Sequence, residues 1–202
     1  MRLLTEYLSI TKKPSIINIR YGGDELRRLV SSEIERLGHD ADLNHIDVSG
    51  IENFTRALYL KDFSGDISKW DMSNAVNTDS MFSGNIHFNP EYLGEWKFSE
   101  KLKDTNHMFA ACWNFEGAGL RYWNVSSVEN FDYMFVDCKV FNEDISSWKP
   151  INAKSIEAMF KGTLDFDQDL SSWTVTKYCN THEAFKNSKM NRSLLKHPKH
   201  AK

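Results

Sequence analysis

Asp66-Ile67-Ser68-Lys69-Trp70-Asp71-Met72-Ser73, followed by Met81-Phe82 and closed by Phe88-Asn89-Pro90, is one copy of a unit that recurs along the chain. Trp70, Trp96, Trp123, Trp148 and Trp173 return at intervals of 26, 27, 25 and 25 residues. Met81-Phe82, Met108-Phe109, Met134-Phe135 and Met159-Phe160 keep the same rhythm, and Ala184-Phe185 closes it. A further Phe (Phe88, Phe115, Phe141, Phe166) stands six residues after the Phe of each pair. A period in this range predicts a solenoid: one unit cannot bury its own apolar face, so neighbours stack and share a core.

Working backwards, Asp42-Leu43-Asn44-His45-Ile46-Asp47-Val48-Ser49 aligns with the quoted stretch, with Ile46 in the tryptophan slot. Six coils of 24–27 residues are expected, opening near Asp42, Asp66, Tyr92, Gly119, Asp144 and Asp169. Leu43, Ile67, Leu93, Leu120, Ile145 and Leu170 lie three before the Trp slot, and Val48, Met72, Phe98, Val125 and Val175 two after it. A brief strand through this stretch would alternate its side chains in and out. Pro150 replaces that last class in the fifth coil and removes a ladder donor there. Val128, Phe131 and Met134-Phe135 then take helical steps, which predicts a short helix or 3₁₀ turn. One strand plus one helical turn per coil gives an α/β, right-handed, leucine-rich-repeat-like stack.

Residues 1–41 read as an N-terminal cap, 42–190 as the repeat array and 191–202 as a basic C-terminal tail. Ile17, Ile19 and Tyr21 alternate with polar residues as a short strand, and Gly22-Gly23 ends it. Asp24 suits an N-cap, and Leu26, Leu29, Val30, Ile34 and Leu37 form a helical stripe over about 24–37 that ends at Gly38. That helix is expected to cover the open end of the core. The tail, with Arg192, Lys196, Lys199 and Lys202, reads as mobile.

The unit Phe-x-x-Asp-(Ile/Leu)-Ser-x-Trp-x-x-Ser, with its later Met-Phe pair, resembles the BspA-type leucine-rich-like repeats of bacterial surface proteins, mycoplasmal lipoproteins and some protist surface proteins. Phe63 to Phe82 and Phe141 to Trp173 carry the resemblance most closely, and it covers about residues 24–190. It implies a non-enzymatic adhesin or interaction surface and no catalytic residues.

Charge and cysteine content bound the rest. The chain of 202 residues carries a formal −3. Residues 186–202 hold six Lys/Arg and no acid, so the preceding part is formally −9. That acidic body argues against general nucleic-acid binding. No run of 18 apolar residues occurs, so no membrane span is expected. Met1 to Pro14 includes Glu6 and too short an apolar run for a secretory signal, so the chain as written reads as cytoplasmic. A trimmed surface or secreted protein is the alternative. Three cysteines make no disulfide framework. Cys112 and Cys138 occupy equivalent positions in adjacent coils and read as small reduced core residues, a disulfide or metal pair being the other reading.

Neither a zinc motif nor a nucleotide or nucleophile motif is present, so no cofactor, metal or catalytic site is expected. Asp66, Asp144 and Asp169 share one slot with Ser68, Ser146 and Ser171 two residues on. They read as turn residues that satisfy backbone N–H groups rather than as a calcium row, since Tyr92 and Gly119 interrupt it. The second and third coils depart from the pattern with an extra residue before Trp96 and Trp123 and with Tyr92-Leu93-Gly94 and Gly119-Leu120-Arg121 at the corner. Insertions in such stacks map to loops on one face, often the binding face. Tyr92, Trp113, Tyr122 and Tyr133, which have no aromatic counterparts in neighbouring coils, are therefore the expected partner-binding residues, with Arg121. The expected function is protein–protein interaction by a monomer or weakly self-associating chain. An intracellular bacterial or phage effector that inhibits a host protein by binding is the alternative.

Overall fold

A computed structural model describes residues 17–18, 22–192 and 197–200. Its regular elements are strand β1 (Ile17–Asn18), helix α1 (Asp24–Leu37), strand β2 (Ile46–Asp47), strand β3 (Thr174–Val175) and strand β4 (Lys199–His200). Two 3₁₀ turns, Leu120–Tyr122 and Lys189–Arg192, complete them. Between β2 and β3 the chain is built mainly of turns, and its order comes from bonds between one repeat unit and the next.

One set of those bonds runs forward at every junction. In the first unit the amides of Phe54, Arg56, Leu58 and Leu60 donate to the carbonyls of Asn77, Asp79, Met81 and Ser83 in the second. The same four slots donate forward at each of the next four junctions, ending with Ile156, Ala158, Phe160 and Gly162 on Asn180, His182, Ala184 and Lys186. Alternate residues do this; the residues between them close i→i+3 turns inside their own unit, such as Ala57 to Phe54 and Met134 to Phe131. The turns require left-handed backbone at Arg56, Ser80, His107, Tyr133, Ala158 and Glu183. Parallel bridges mark the start of the run at Asn53, Asn77, Asp104, Asn130, Ser155 and Asn180.

This differs from the expected division of each unit. The Met-Phe stretch, predicted as a helical turn, carries the bonds between units. Its three-residue steps come from chained β-turns, which a left-handed residue resets before a helix can propagate. The Trp stretch is strand only at the two ends of the array, where β2 and β3 each meet a terminal strand.

The periodic residues form the core. Phe82, Phe109, Phe135, Phe160 and Phe185 stack in sequence, with ring centroids 5.3, 5.7, 5.7 and 5.5 Å apart. Trp96, Trp123, Trp148 and Trp173 form a second column. Each indole N–H donates to a carbonyl one unit back: Trp70 to Leu43, Trp96 to Ile67, Trp123 to Leu93, Trp148 to Leu120 and Trp173 to Ile145. The first unit has no earlier unit to bond, and there Ile46 fills the slot. Cys112 and Cys138 are free and buried, and their thiols donate to Phe82 and Phe109 one unit back. Asn85 uses the equivalent slot in the same way, toward Leu58.

Terminal segments pack on both ends of the array. At the first, β1 pairs in parallel with β2, and Leu26, Val30 and Ile34 of α1 bury against the core. The alternation expected at Ile19 and Tyr21 lies outside the described residues. Asp24 opens the helix rather than capping it; Gly23, at φ 64°, takes the cap. Glu33, on the buried face, bonds His45 at 2.8 Å and Arg36 at 2.5 Å, tying α1 to the first unit. At the far end β4 pairs in parallel with β3, and the His197 ring stacks 4.3 Å from Phe185. Residues 197–200 are thus docked on the last unit, where a mobile tail was expected. The exposed end of an apolar column is what recruits them.

Candidate protein-interaction surface

The polar slots at the corners of each unit are occupied by structure. Asp42, Asp66, Asp144 and Asp169 each accept the amide two residues ahead, as expected of turn residues. Asp47, Asp71 and Asn124 do the same at a second corner. At a third, Asn53, Asn77, Asp104, Asn130 and Asn180 form a column that the sequence reading missed, although its intervals of 24, 27, 26 and 50 residues repeat the Trp rhythm. Among the described residues no group of three or more His, Cys, Asp or Glu is placed to hold a metal ion.

Against this background the off-pattern aromatics stand out. Tyr92, Trp113 and Tyr122 are 40%, 42% and 61% exposed, whereas every tryptophan of the periodic column is buried. The Tyr92 and Tyr122 rings meet edge to face, 6.3 Å apart. Their seat explains the irregular corners. A Cβ on Gly94 would stand 2.3 Å from the Tyr92 ring, and one on Gly119 would stand 2.5 Å from the Gly94 nitrogen. The Asp-Ile-Ser corner is therefore lost where a tyrosine lies flat over two glycines. Burial against neighbouring atoms, with Tyr122 and Glu95 nearby, raises the Tyr92 phenol above its ordinary range, so it stays a neutral donor at physiological pH.

Arg121 forks onto Glu143, Nε–Oε1 at 2.7 Å and Nη2–Oε2 at 3.1 Å. That bidentate pair keeps the guanidinium charged and fixes the loop beneath Tyr122. Trp113 has Lys139 Nζ 3.8 Å above its ring. Glu143 also lines a shallow depression of about 380 Å³ with Glu116, Ala118, Val140 and Asn142. Tyr92 also borders a cleft of about 490 Å³ with Asp40, Asp66, Glu91 and Glu95 on its walls.

Of the five expected residues, Tyr92 and Tyr122 meet, Arg121 adjoins Tyr122, and Trp113 is exposed with Lys139 over its ring. Tyr133 does not join them. It sits on the side where units bond to each other, its hydroxyl on Glu157 at 2.8 Å and its ring stacked on His107. That side carries its own group: His107 lies among Asp79, Asp104 and Asp132. Burial holds His107 below its ordinary range and raises Asp104, which the neighbouring acids raise further.

A family model described as "Mycoplasma protein of unknown function, DUF285" matches residues 28–119 and 91–197, and the chain belongs to that family. Comparison with curated proteins and with solved structures gives no match.

Proposed function

We propose that this DUF285 chain is a protein-interaction module. Its repeats form a leucine-rich-type, right-handed solenoid of the BspA kind, and it presents Tyr92, Trp113, Arg121 and Tyr122 to a protein partner. One observation carries the reading: Tyr92, Trp113 and Tyr122, which stand outside the repeat, are exposed in the central units, as Tyr178 is in the last, while the periodic Trp and Phe columns are buried. Rigid, amphipathic rings of this kind are favoured anchors in protein interfaces, since few torsions are frozen when they bind. The irregular corners support it, because two units give up a standard turn to seat Tyr92.

The test is affinity capture from host-cell lysate and from extracellular matrix material, with the Trp113→Ala, Tyr122→Ala double variant run beside the wild type. Loss of a stoichiometric partner in the variant, at an unchanged melting temperature, is the expected result. A partner held equally by both proteins would remove this side from the function. A matrix partner would favour an adhesin, and a cytosolic one an inhibitor acting inside the host cell.

A further inference from the structure

The forward-bonding rule has an end. Thr181, Glu183, Phe185 and Asn187 occupy the four donor slots of the sixth unit, and among the described residues their amides find no acceptor. Glu183 and Asn187 nonetheless keep the left-handed backbone of their slots, at φ 52° and 61°. The edge is therefore set in the conformation that five earlier units use to bind a neighbouring run of chain. β4 does not fill it. It pairs with Thr174–Val175, on another side of the unit, and His197 covers the Phe185 ring. What remains beside the amides is a cleft of about 330 Å³, with Thr181, Phe185, Lys186, His197 and His200 on its walls.

We propose that this edge is a β-augmentation site for an extended, acidic peptide segment of a partner protein. It lies apart from the aromatic side and goes beyond the function proposed above. Polypeptide is the occupant because the same row is filled five times in this molecule by carbonyls at alternate residues, at 2.8–3.0 Å. An unpaired row of backbone donors is a template for one more strand. Acidity follows from the charges at this end. Among the described residues Lys186 lies within the row and Lys189 just beyond it, Lys199 lies in β4, and His197 and His200 stand on the cleft walls. The one acid in the row, Glu183, is held by Lys161 and Lys186 at 2.7 and 2.5 Å. A second copy does not fit as the continuation of the stack. The matching acceptor end lies under α1, where Gly23 already bonds the Asn53 carbonyl at 2.7 Å.

The probe is the capped synthetic peptide of residues 130–137, Asn-Phe-Asp-Tyr-Met-Phe-Val-Asp, which fills the same row on the third unit. Amide hydrogen exchange is read by NMR on the ¹⁵N-labelled full chain. In the free protein the amides of Thr181, Glu183, Phe185 and Asn187 exchange freely, while those of Ile156, Ala158, Phe160 and Gly162 are protected. Peptide slows the first set by about tenfold or more, and a scrambled peptide of the same composition does not. The Trp113→Ala, Tyr122→Ala protein gives the same protection, so failure here and failure of the aromatic side are separate results. Protection already present in free protein overturns the proposal, and protection that grows with protein concentration identifies a second copy instead. Equal effects of both peptides, or none, also overturn it.

Discussion

Trp123 shows why this slot is tryptophan and not merely large. Its ring stacks between Trp96 and Trp148, and its N–H reaches Leu93 at 2.9 Å. Trp123→Phe keeps an aromatic ring but loses that bond and some contact area. The expected cost is about 2 kcal/mol in urea unfolding, one hydrogen bond plus an underfilled slot. Asp104 makes the opposite case. Its column otherwise holds Asn53, Asn77, Asn130, Ser155 and Asn180. Burial raises its carboxyl and the nearby Asp79 and Asp132 raise it further. Asp104→Asn keeps the bond to the Asn106 amide and removes the charge, so it stabilises the protein by roughly 0.5 kcal/mol at neutral pH. With a raised native value the wild type gains stability as pH falls through it, so the advantage of the variant shrinks on acidification. A gap that widens instead would refute the assignment. The thiols give a third check. Burial drives Cys112 and Cys138 far above their ordinary range, and Cys179 only to about 11. Native-state alkylation therefore labels Cys179 first, read by mass spectrometry.

At the level of elements, α1 was legible and its anchor was not. Leu26, Val30 and Ile34 announce a buried stripe by their spacing, but nothing marks Glu33 as its polar partner in the same face. Its contact with His45 depends on how the helix crosses the first unit, which no local pattern encodes. The bond from Arg36, with burial opposing and His45 adding, lowers the Glu33 carboxyl. A lowered native value means stability that is present above the unfolded value and lost as pH falls through the folded one. Glu33→Gln should accordingly destabilise the protein at neutral pH and flatten its acid limb, measured as Tm between pH 3 and 7. A parallel limb in both proteins would assign the acid transition to other carboxylates. The C-terminal strand was misread for a related reason. Lys199–His200 has the composition of a free tail, and only the uncovered Phe185 and the edge of β3 give it a place. The chained turns were hidden too, because steps of three fit a 3₁₀ turn and an i→i+3 turn equally.

Across the whole molecule, the exposed side was partly readable because exception shows against repetition. Tyr92, Trp113 and Tyr122 break a period that buries the Trp and Phe columns, whereas Tyr133 breaks it equally and is absorbed by Glu157 and His107. Departure from a period thus locates special positions without telling contact from packing. The same repetition sets how stability is distributed. Phe135 is stacked from both sides, 5.7 Å from Phe109 and 5.7 Å from Phe160, and touches Phe141 at 4.1 Å. Phe185 has one aromatic neighbour from the array, Phe160, and the His197 ring beyond it. In a linear stack each unit is held by its nearest neighbours. Phe135→Ala removes an interface on both sides and should cost about 3–5 kcal/mol in global unfolding. Phe185→Ala should instead free the sixth unit alone. Hydrogen exchange separates the two: the Phe185 variant loses protection at Ile156, Ala158 and Phe160 while the amides of Phe54, Thr78 and Thr105 keep theirs. Uniform loss in both variants would mean that the array unfolds as one indivisible unit, with stability not parcelled by repeat.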